Sequence, residues 1–212
     1  MEFLPKDIDQ YVEAHTSSEN ELLHRINRET HLEVLKPRML SGHLQGRVLA
    51  MLSHMIWPAS ILEIGTYTGY SAICMAEGMK NEGKLVTIDI NEELEARVRN
   101  YFQESGYHKQ IEYLIGNALE IIPRRTETWD LVFIDADKEN YLNYYNMVIK
   151  NVRKGGFIIA DNVLWSGKIS DSSKNDKDTV SLRNFNDTIH QDERVENVLF
   201  PVRDGLLVIR KK

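Results

Sequence analysis

Asp135, Asp161 and Asn162 each stand at the end of a short apolar run, the first closing WDLVFID and the other two following GGFIIA. Two carboxylates and an amide oxygen carried on adjacent strand ends are hard donors. Three such protein ligands leave octahedral positions open to water and to a further ligand. That donor set suits Mg2+, with Mn2+ or Ca2+ as its chemical neighbours. Carboxylates at neighbouring strand ends repel each other unless a cation lies between them. The same residue types also serve as helix caps and loop hydrogen-bonders, which is the competing reading. No His and Cys set with zinc-type spacing is present. Lys138 follows Asp135 by three. It is either an ion-pair partner of these acids or a base, since a like charge beside an amine favours its neutral, proton-accepting form.

A second group lies earlier in the chain. The segment EIGTYTGYS, Glu63 to Ser71, joins an apolar run to a helical one. Gly65 and Gly69 permit a tight turn around Thr66 and a close approach of ligand to backbone. Asp89 ends the next apolar run, where an acid can accept hydrogen bonds from the two hydroxyls of a ribose. Alternatively the glycines only shape a turn, and Asp89 caps the helix that starts near Glu92. A dinucleotide site would carry Gly-x-Gly-x-x-Gly and offer free backbone N–H groups to a pyrophosphate. This turn reads Gly-Thr-Tyr-Thr-Gly, and Glu63 just before it would repel phosphate and attract an ammonium. The lining therefore suits S-adenosylmethionine (SAM), which has an ammonium and a ribose and no phosphate.

The elements that must position these residues are legible in the pattern. Leu22, Leu23 and Ile26, then Leu44, Val48, Leu52 and Met55, recur at helical spacing, with Pro37 and Gly42 between them and Trp57-Pro58 after. From Ser60 onward the runs SILEIG, KLVTIDI, IEYLIG, WDLVFID and GGFIIAD alternate with helix-like segments at 70–80, 92–104, 118–122 and 141–151. Apolar runs with little polar alternation suit parallel strands covered on both faces, and the alternation argues for a doubly wound α/β sheet. VENVLFPV and GLLVIRK are separated only by Arg203-Asp204, which permits a hairpin and no crossover helix. The expectation is one domain over 1–212. It has N-terminal helices at 1–58 and an α/β core at 59–212, with five parallel strands and an antiparallel C-terminal pair. In such sheets ligands bind beyond the carboxyl ends of the strands, where the residues above stand.

Composition narrows the partners. The 212 residues carry a formal net charge of -6 with acids and bases interspersed, so no broad nucleic-acid surface is evident and a small-molecule partner is expected. Cys74 is the only cysteine, excluding an intrachain disulfide, and its apolar context SAICMA reads as core. The opening MEFLPKDIDQYVEAH carries acids and no long apolar run, so neither signal peptide nor membrane anchor is expected, and the cytoplasm is the default.

The segments PRMLSGHLQG, ILEIGTYTGYS, TIDIN, GNALE, FIDADKENY and IADNVLWSGK occur in order from Pro37 to Lys168. With them the chain resembles the cation-dependent class I O-methyltransferases, the group of the catechol and caffeoyl-CoA enzymes, over nearly its whole length. The resemblance implies a Rossmann-like SAM-methyltransferase fold. It implies SAM contacts from Met39, Ser41, Glu63, Gly65, Thr66, Ser71, Asp89, Ala118, Asp135, Asp137 and, by the same analogy, Tyr144. It also implies a cation on Asp135, Asp161 and Asn162, with Lys138 as the base that frees a hydroxyl of a vicinal diol to attack the sulfonium methyl. A homodimer is expected on the same ground.

The acceptor stays open between a catechol or caffeoyl-type phenolic diol and a hydroxylated uridine in tRNA. The tRNA reading needs a basic rim, for which Arg25, Arg28, Lys36, Arg38 and Arg47 are candidates, with an ordinary solvated face as the alternative. Tyr141, Tyr144 and Tyr145 share one expected helix and read mainly as packing. Trp165 either flanks an acceptor ring or packs in the core, and 166–178 reads as a mobile surface loop that shapes acceptor choice. A SAM-binding protein without catalysis would not need Lys138 and the Asp135, Asp161, Asn162 set.

Overall fold

The computed structural model describes residues 4–212, so the first three residues of the opening segment lie outside it. It divides into two compact units, Leu4–Asn117 and Ala118–Lys212. In the first, α1 (Lys6–Ala14), α2 (Glu21–Glu33) and α3 (Gly42–Ile56) precede β1 (Ser60–Ile64), α4 (Tyr70–Glu77), β2 (Lys84–Asp89), α5 (Glu95–Ser105) and β3 (Ile111–Ile115). The second holds α6 (Ala118–Ile121), β4 (Trp129–Ile134), α7 (Tyr141–Val148), β5 (Val152–Asp161), α8 (Lys177–Gln191), β6 (Val195–Phe200) and β7 (Leu206–Lys211).

The seven strands make a mixed α/β sheet, with topological order β3-β2-β1 in the first unit and β4-β5-β7-β6 in the second. Within the units β1 to β3 pair in parallel, as do β4 and β5, and β7 runs antiparallel to both β5 and β6. The doubly wound sheet with an antiparallel C-terminal pair is thus as expected. Its centre is dry: Ile61, Leu62, Leu85, Leu131, Val132 and Phe133 are fully or almost fully buried. Among the described residues, no helix is long and apolar enough to cross a membrane.

Three details depart from the sequence expectation. Helix α3 forms, but its buried face is Gln45, Gly46, Leu49, Ala50 and Ser53 rather than the Leu44, Val48, Leu52, Met55 stripe, and Met55 is exposed. Small residues decide this. A Cβ on Gly46 would lie 2.5 Å from the Tyr70 ring and 2.9 Å from Cys74 Sγ, so α3 approaches α4 through its smallest side chains. Cys74 is fully buried there, and burial pushes its thiol up to about 12, which suits the core role expected of it. Second, α8 was not expected, and its first residues fall inside the proposed loop. Asp176 caps it by accepting from the Thr179 N–H and hydroxyl, and Leu182, Phe185 and Ile189 bury its inner face. Third, the hairpin before β7 is longer than two residues: its strands stop at Phe200 and restart at Leu206, with Arg203 and Gly205 both at positive φ.

Helix α1 buries no side chain. What fastens it is His43 on α3, whose Nδ1 faces Glu13 Oε2 at 2.5 Å while Nε2 faces the Ser17 carbonyl at 2.8 Å. Both partners are acceptors, so only the doubly protonated imidazolium satisfies both. Burial pulls the His43 pKa down, but the bonds to the Ser17 carbonyl and the Glu13 carboxylate outweigh it and the net shift is upward. A raised folded-state pKa means the clamp is fully present below the unfolded value of about 6.5 and lost as pH rises through the folded one. Amide-exchange protection of residues 6–14 is therefore expected to fall from pH 6 to pH 8.5. In His43→Ala it should be low and flat across that range, with β1 and β2 unaffected. A pH-independent α1 in the unsubstituted chain would show that the clamp does not titrate.

Candidate active site

In the unit Leu4–Asn117 the chemistry gathers at the carboxyl ends of β1 and β2. Glu63 pairs in register with Thr87 and is fully buried. Its Oε1 accepts from Ser71 Oγ and its Oε2 from Thr87 Oγ1, each at 2.5 Å, and Thr66 Oγ1 lies 2.5 Å from Thr87 Oγ1. Since the Thr87 proton is committed to Glu63, Thr66 donates to Thr87. A buried carboxylate costs several kcal/mol unless hydrogen-bonded. The hydroxyl chain offsets that cost and leaves a negative centre at the start of the turn.

The turn itself is built on positive φ. Gly65 has φ 101°, and Gly69 has φ 80° at a point where a Cβ would stand 2.8 Å from the Phe102 ring. Tyr67 N–H donates to Asp89 Oδ2 at 2.6 Å and Asn91 N–H to Asp89 Oδ1 at 2.8 Å, so Asp89 fastens the turn to the end of β2. The cap expected of Asp89 belongs to Asn91, whose side chain accepts from Glu93 N–H. Tyr67 also reaches the 3-10 turn that carries Met39, its hydroxyl donating to the carbonyls of Leu35 and Lys36. Met39 is exposed, and Ser41 is buried at the start of α3.

In the unit Ala118–Lys212 a second group forms around Lys138, which is almost fully buried. Its Nζ donates to Asp135 Oδ1 at 3.1 Å, to Asn162 Oδ1 at 2.9 Å and to the Tyr141 hydroxyl at 2.5 Å. Tyr141 in turn donates to the Asp161 carbonyl at 3.0 Å, and the Asn162 N–H donates to Asp161 Oδ1 at 2.7 Å. Burial first, then the charges of Asp135 and Asp161, hold the Tyr141 phenol well above its ordinary pKa, so it stays a neutral donor. Asn162 sits at φ 59°, a left-handed backbone that Asn tolerates. Oxygens of Asp135 and Asn162 thus converge on one positive centre, and Asp161 is joined to Asn162 through its main chain. Among the described residues no three His, Cys, Asp or Glu side chains cluster as a metal group. The candidate set has two carboxylates and an amide, and its hard oxygens fit a divalent cation.

Not all expected residues join this group. Asp137 faces away from Lys138, accepting from the Tyr144 hydroxyl at 2.5 Å and from Asn140 Nδ2. Burial, then that hydrogen bond, push the Tyr144 pKa upward. Ala118 begins α6, nearly buried. Trp165 stands at φ 47° with its ring centroid 5.9 Å from Lys138 Nζ, and its indole Nε1 is buried with no hydrogen-bond partner among the described residues.

A family model described as "O-methyltransferase" matches residues 13–212. The chain belongs to the O-methyltransferase family. It is 35% identical to a probable caffeoyl-CoA O-methyltransferase 2 of Dictyostelium discoideum, over 82% of this chain and 78% of that protein. It is 34% identical to caffeoyl-CoA O-methyltransferase 2 of Populus trichocarpa, over 79% and 72%. The O-methyltransferase of Bacillus cereus, solved in complex with SAH, superposes with a TM-score of 0.90 at 29% identity, covering 97% of both chains. This O-methyltransferase is accordingly of the SAM-dependent, caffeoyl-CoA type.

Four residues of this O-methyltransferase that sequence reasoning passed over matter as much as those it chose. Thr87 is the one polar side chain inside the apolar core of β2, and Tyr141 lies one helical turn from Lys138; both signals were readable. Tyr67 acts through its main-chain N–H, and Arg183 by donating to the main-chain carbonyls of Lys168, Ile169, Asp171 and Lys174, and no residue-type pattern announces either. Thr87→Val keeps the shape and removes one donor from buried Glu63. It should cost about 1–3 kcal/mol and lower Tm by several degrees, read by thermal melting followed by circular dichroism. A Tm equal to that of the unsubstituted protein would show that the hydroxyl chain contributes nothing.

Proposed function

We propose that this SAM-dependent O-methyltransferase uses a divalent cation, Mg2+ first, to transfer a methyl group to one hydroxyl of a catechol-like or phenylpropanoid vicinal diol. The carrying observation is the convergence of Asp135 and Asn162 oxygens on the single positive nitrogen of Lys138. Asp135, Asp161 and Asn162 would hold the cation. When bound, it supplies a positive centre that gathers both diol oxygens and lowers their pKa.

The chain's own residues do the rest. Glu63 presents a buried carboxylate to the ammonium of SAM, with Ser71, Thr87 and Thr66 fixing its orientation. Asp89 keeps lone pairs for the ribose hydroxyls after accepting one backbone N–H on each oxygen, and Gly65 leaves room for the ligand. Met39, Ser41, Ala118, Asp135, Asp137 and Tyr144 are assigned to SAM by the family resemblance. Lys138 Nζ would take the proton of the acceptor hydroxyl, steered by Tyr141. Trp165, whose indole N–H has no hydrogen-bond partner among the described residues, lies beside that nitrogen and suits contact with an aromatic ring. Orientation of two reactants in register can contribute roughly 7–11 kcal/mol, the larger part of what such a site has to supply.

The Dictyostelium and Populus relatives are named for caffeoyl-CoA, which supports the diol. The tRNA alternative gains no support: Arg25 pairs with Glu104, and Arg47 is bidentate on Glu77, so two of the five candidates for a basic rim already have anionic partners.

Asp161→Ala is expected to abolish cation-stimulated methyl transfer to catechol or caffeoyl-CoA, with the circular dichroism spectrum unchanged. Full activity of that variant in excess chelator would end the cation proposal. Lys138→Ala should lower kcat by roughly 10^2–10^4, the usual yield of a positioned base, with SAM affinity little changed in calorimetry. A kcat within twofold of the unsubstituted enzyme would remove Lys138 from the mechanism.

A further inference from the structure

From Trp165 to Lys177 no residue is buried. Packing alone therefore holds it weakly, although it opens beside Lys138 and includes three successive positive-φ residues, Trp165, Ser166 and Gly167. A guanidinium holds it instead. Arg183 Nε donates to the Ile169 carbonyl at 2.9 Å, and Nη2 is shared among the carbonyls of Lys168 at 3.1 Å, Asp171 at 2.5 Å and Lys174 at 2.8 Å. Nη1 lies 3.4 Å from Asn175 Oδ1.

The helix that carries Arg183 is itself fixed against the Lys138 group. Phe185 meets the Tyr141 ring edge-on with centroids 5.5 Å apart, and Asn186 Nδ2 donates to the Val163 carbonyl at 3.0 Å. The start of the segment is set by the hairpin before β7: Ser166 N–H donates to Asp204 Oδ1 and Leu164 N–H to the Asp204 carbonyl. Helix α8 thus sets both the phenol that steers Lys138 and the path of the chain after Asn162.

We infer that Arg183 is a positioning residue for acceptor binding, acting through the Trp165–Lys174 loop and not on the donor. The inference rests on the reading above that the acceptor lies beside Lys138. A planar fork with five donors can gather carbonyls from four residues at once, whereas an ammonium with three donors in a point geometry holds fewer. Without the fork, the loop must be ordered anew each time an acceptor binds, and that cost falls on acceptor affinity.

The test compares the unsubstituted enzyme with Arg183→Ala and Arg183→Lys, using catechol and caffeoyl-CoA as probes with SAM and Mg2+. In Arg183→Ala, amide-exchange protection over residues 169–174 should be lost and KM for the acceptor should rise roughly tenfold, the order expected when one or two side chains are ordered on binding. The acceptor-saturated kcat should stay within twofold, and SAM affinity by calorimetry should be unchanged. Arg183→Lys should recover part of both the protection and the KM. Lost protection with an unchanged KM would overturn the inference, as would a parallel loss of SAM affinity, which marks general destabilisation. An unsubstituted enzyme inactive on both probes would overturn the acceptor reading instead, and the exchange data would still decide whether Arg183 holds the loop.

Discussion

Negative charge collected at the ends of parallel strands is the constraint around which the rest of the molecule is arranged. Asp89, Asp135 and Asp161 all stand at or just beyond the last residue of a strand, where ligands meet α/β sheets. Such charge is useful to a ligand that brings positive charge and costly to the folded chain without it. The chain answers differently in its two units. Around Glu63 the bonds are from neutral groups: the hydroxyls of Ser71 and Thr87 donate to the carboxylate, and Thr66 supports Thr87. Around Asp135 the answer is ionic, with the Lys138 ammonium among the oxygens and Tyr141 holding it there.

That difference fits the two ligand chemistries. A carboxylate that accepts from hydroxyls can still receive an ammonium from a cofactor, because hydroxyls support its charge without cancelling it. If the site takes a cation as proposed, Asp135 and Asn162 would hold it with the same oxygens that accept from Lys138. The Lys138 nitrogen thereby stands beside the oxygens that would hold the cation. Both functions follow from one cluster, with no residue from outside it.

Much of this was legible in sequence because it depends on residue type at strand ends. The seven strands came from Ile, Val and Leu runs, and Glu63, Asp89, Asp135, Asp161 and Asn162 came from the polar residues that interrupt them. What sequence hid depends on contacts that type and spacing do not encode. The inner face of α3 followed Gly46, Ala50 and Ser53 rather than its larger aliphatics, because close approach to α4 rewards small volume over hydrophobicity. Helix α8 escaped because its first turn is rich in Asp, Lys and Thr, while Leu182, Phe185 and Ile189 mark its buried stripe only further on. Tyr67 and Arg183 work through main-chain groups, for which the sequence carries no distinguishing letter.

The residues of the two clusters stand on or beside regular elements whose apolar faces are buried, so their positions are fixed by the same packing that folds the chain. The segment from Trp165 to Lys177 lies outside that economy of packing. It has no buried side chain and owes its course to polar bonds from Arg183 and Asp204. Substitutions there leave the core untouched and therefore cost little stability, and the segment opens with Trp165 beside Lys138. If acceptor choice lies in this segment as proposed, such a fold could keep its methyl-transfer groups and vary the acceptor by changing exposed positions, provided the arginine that shapes the loop is retained.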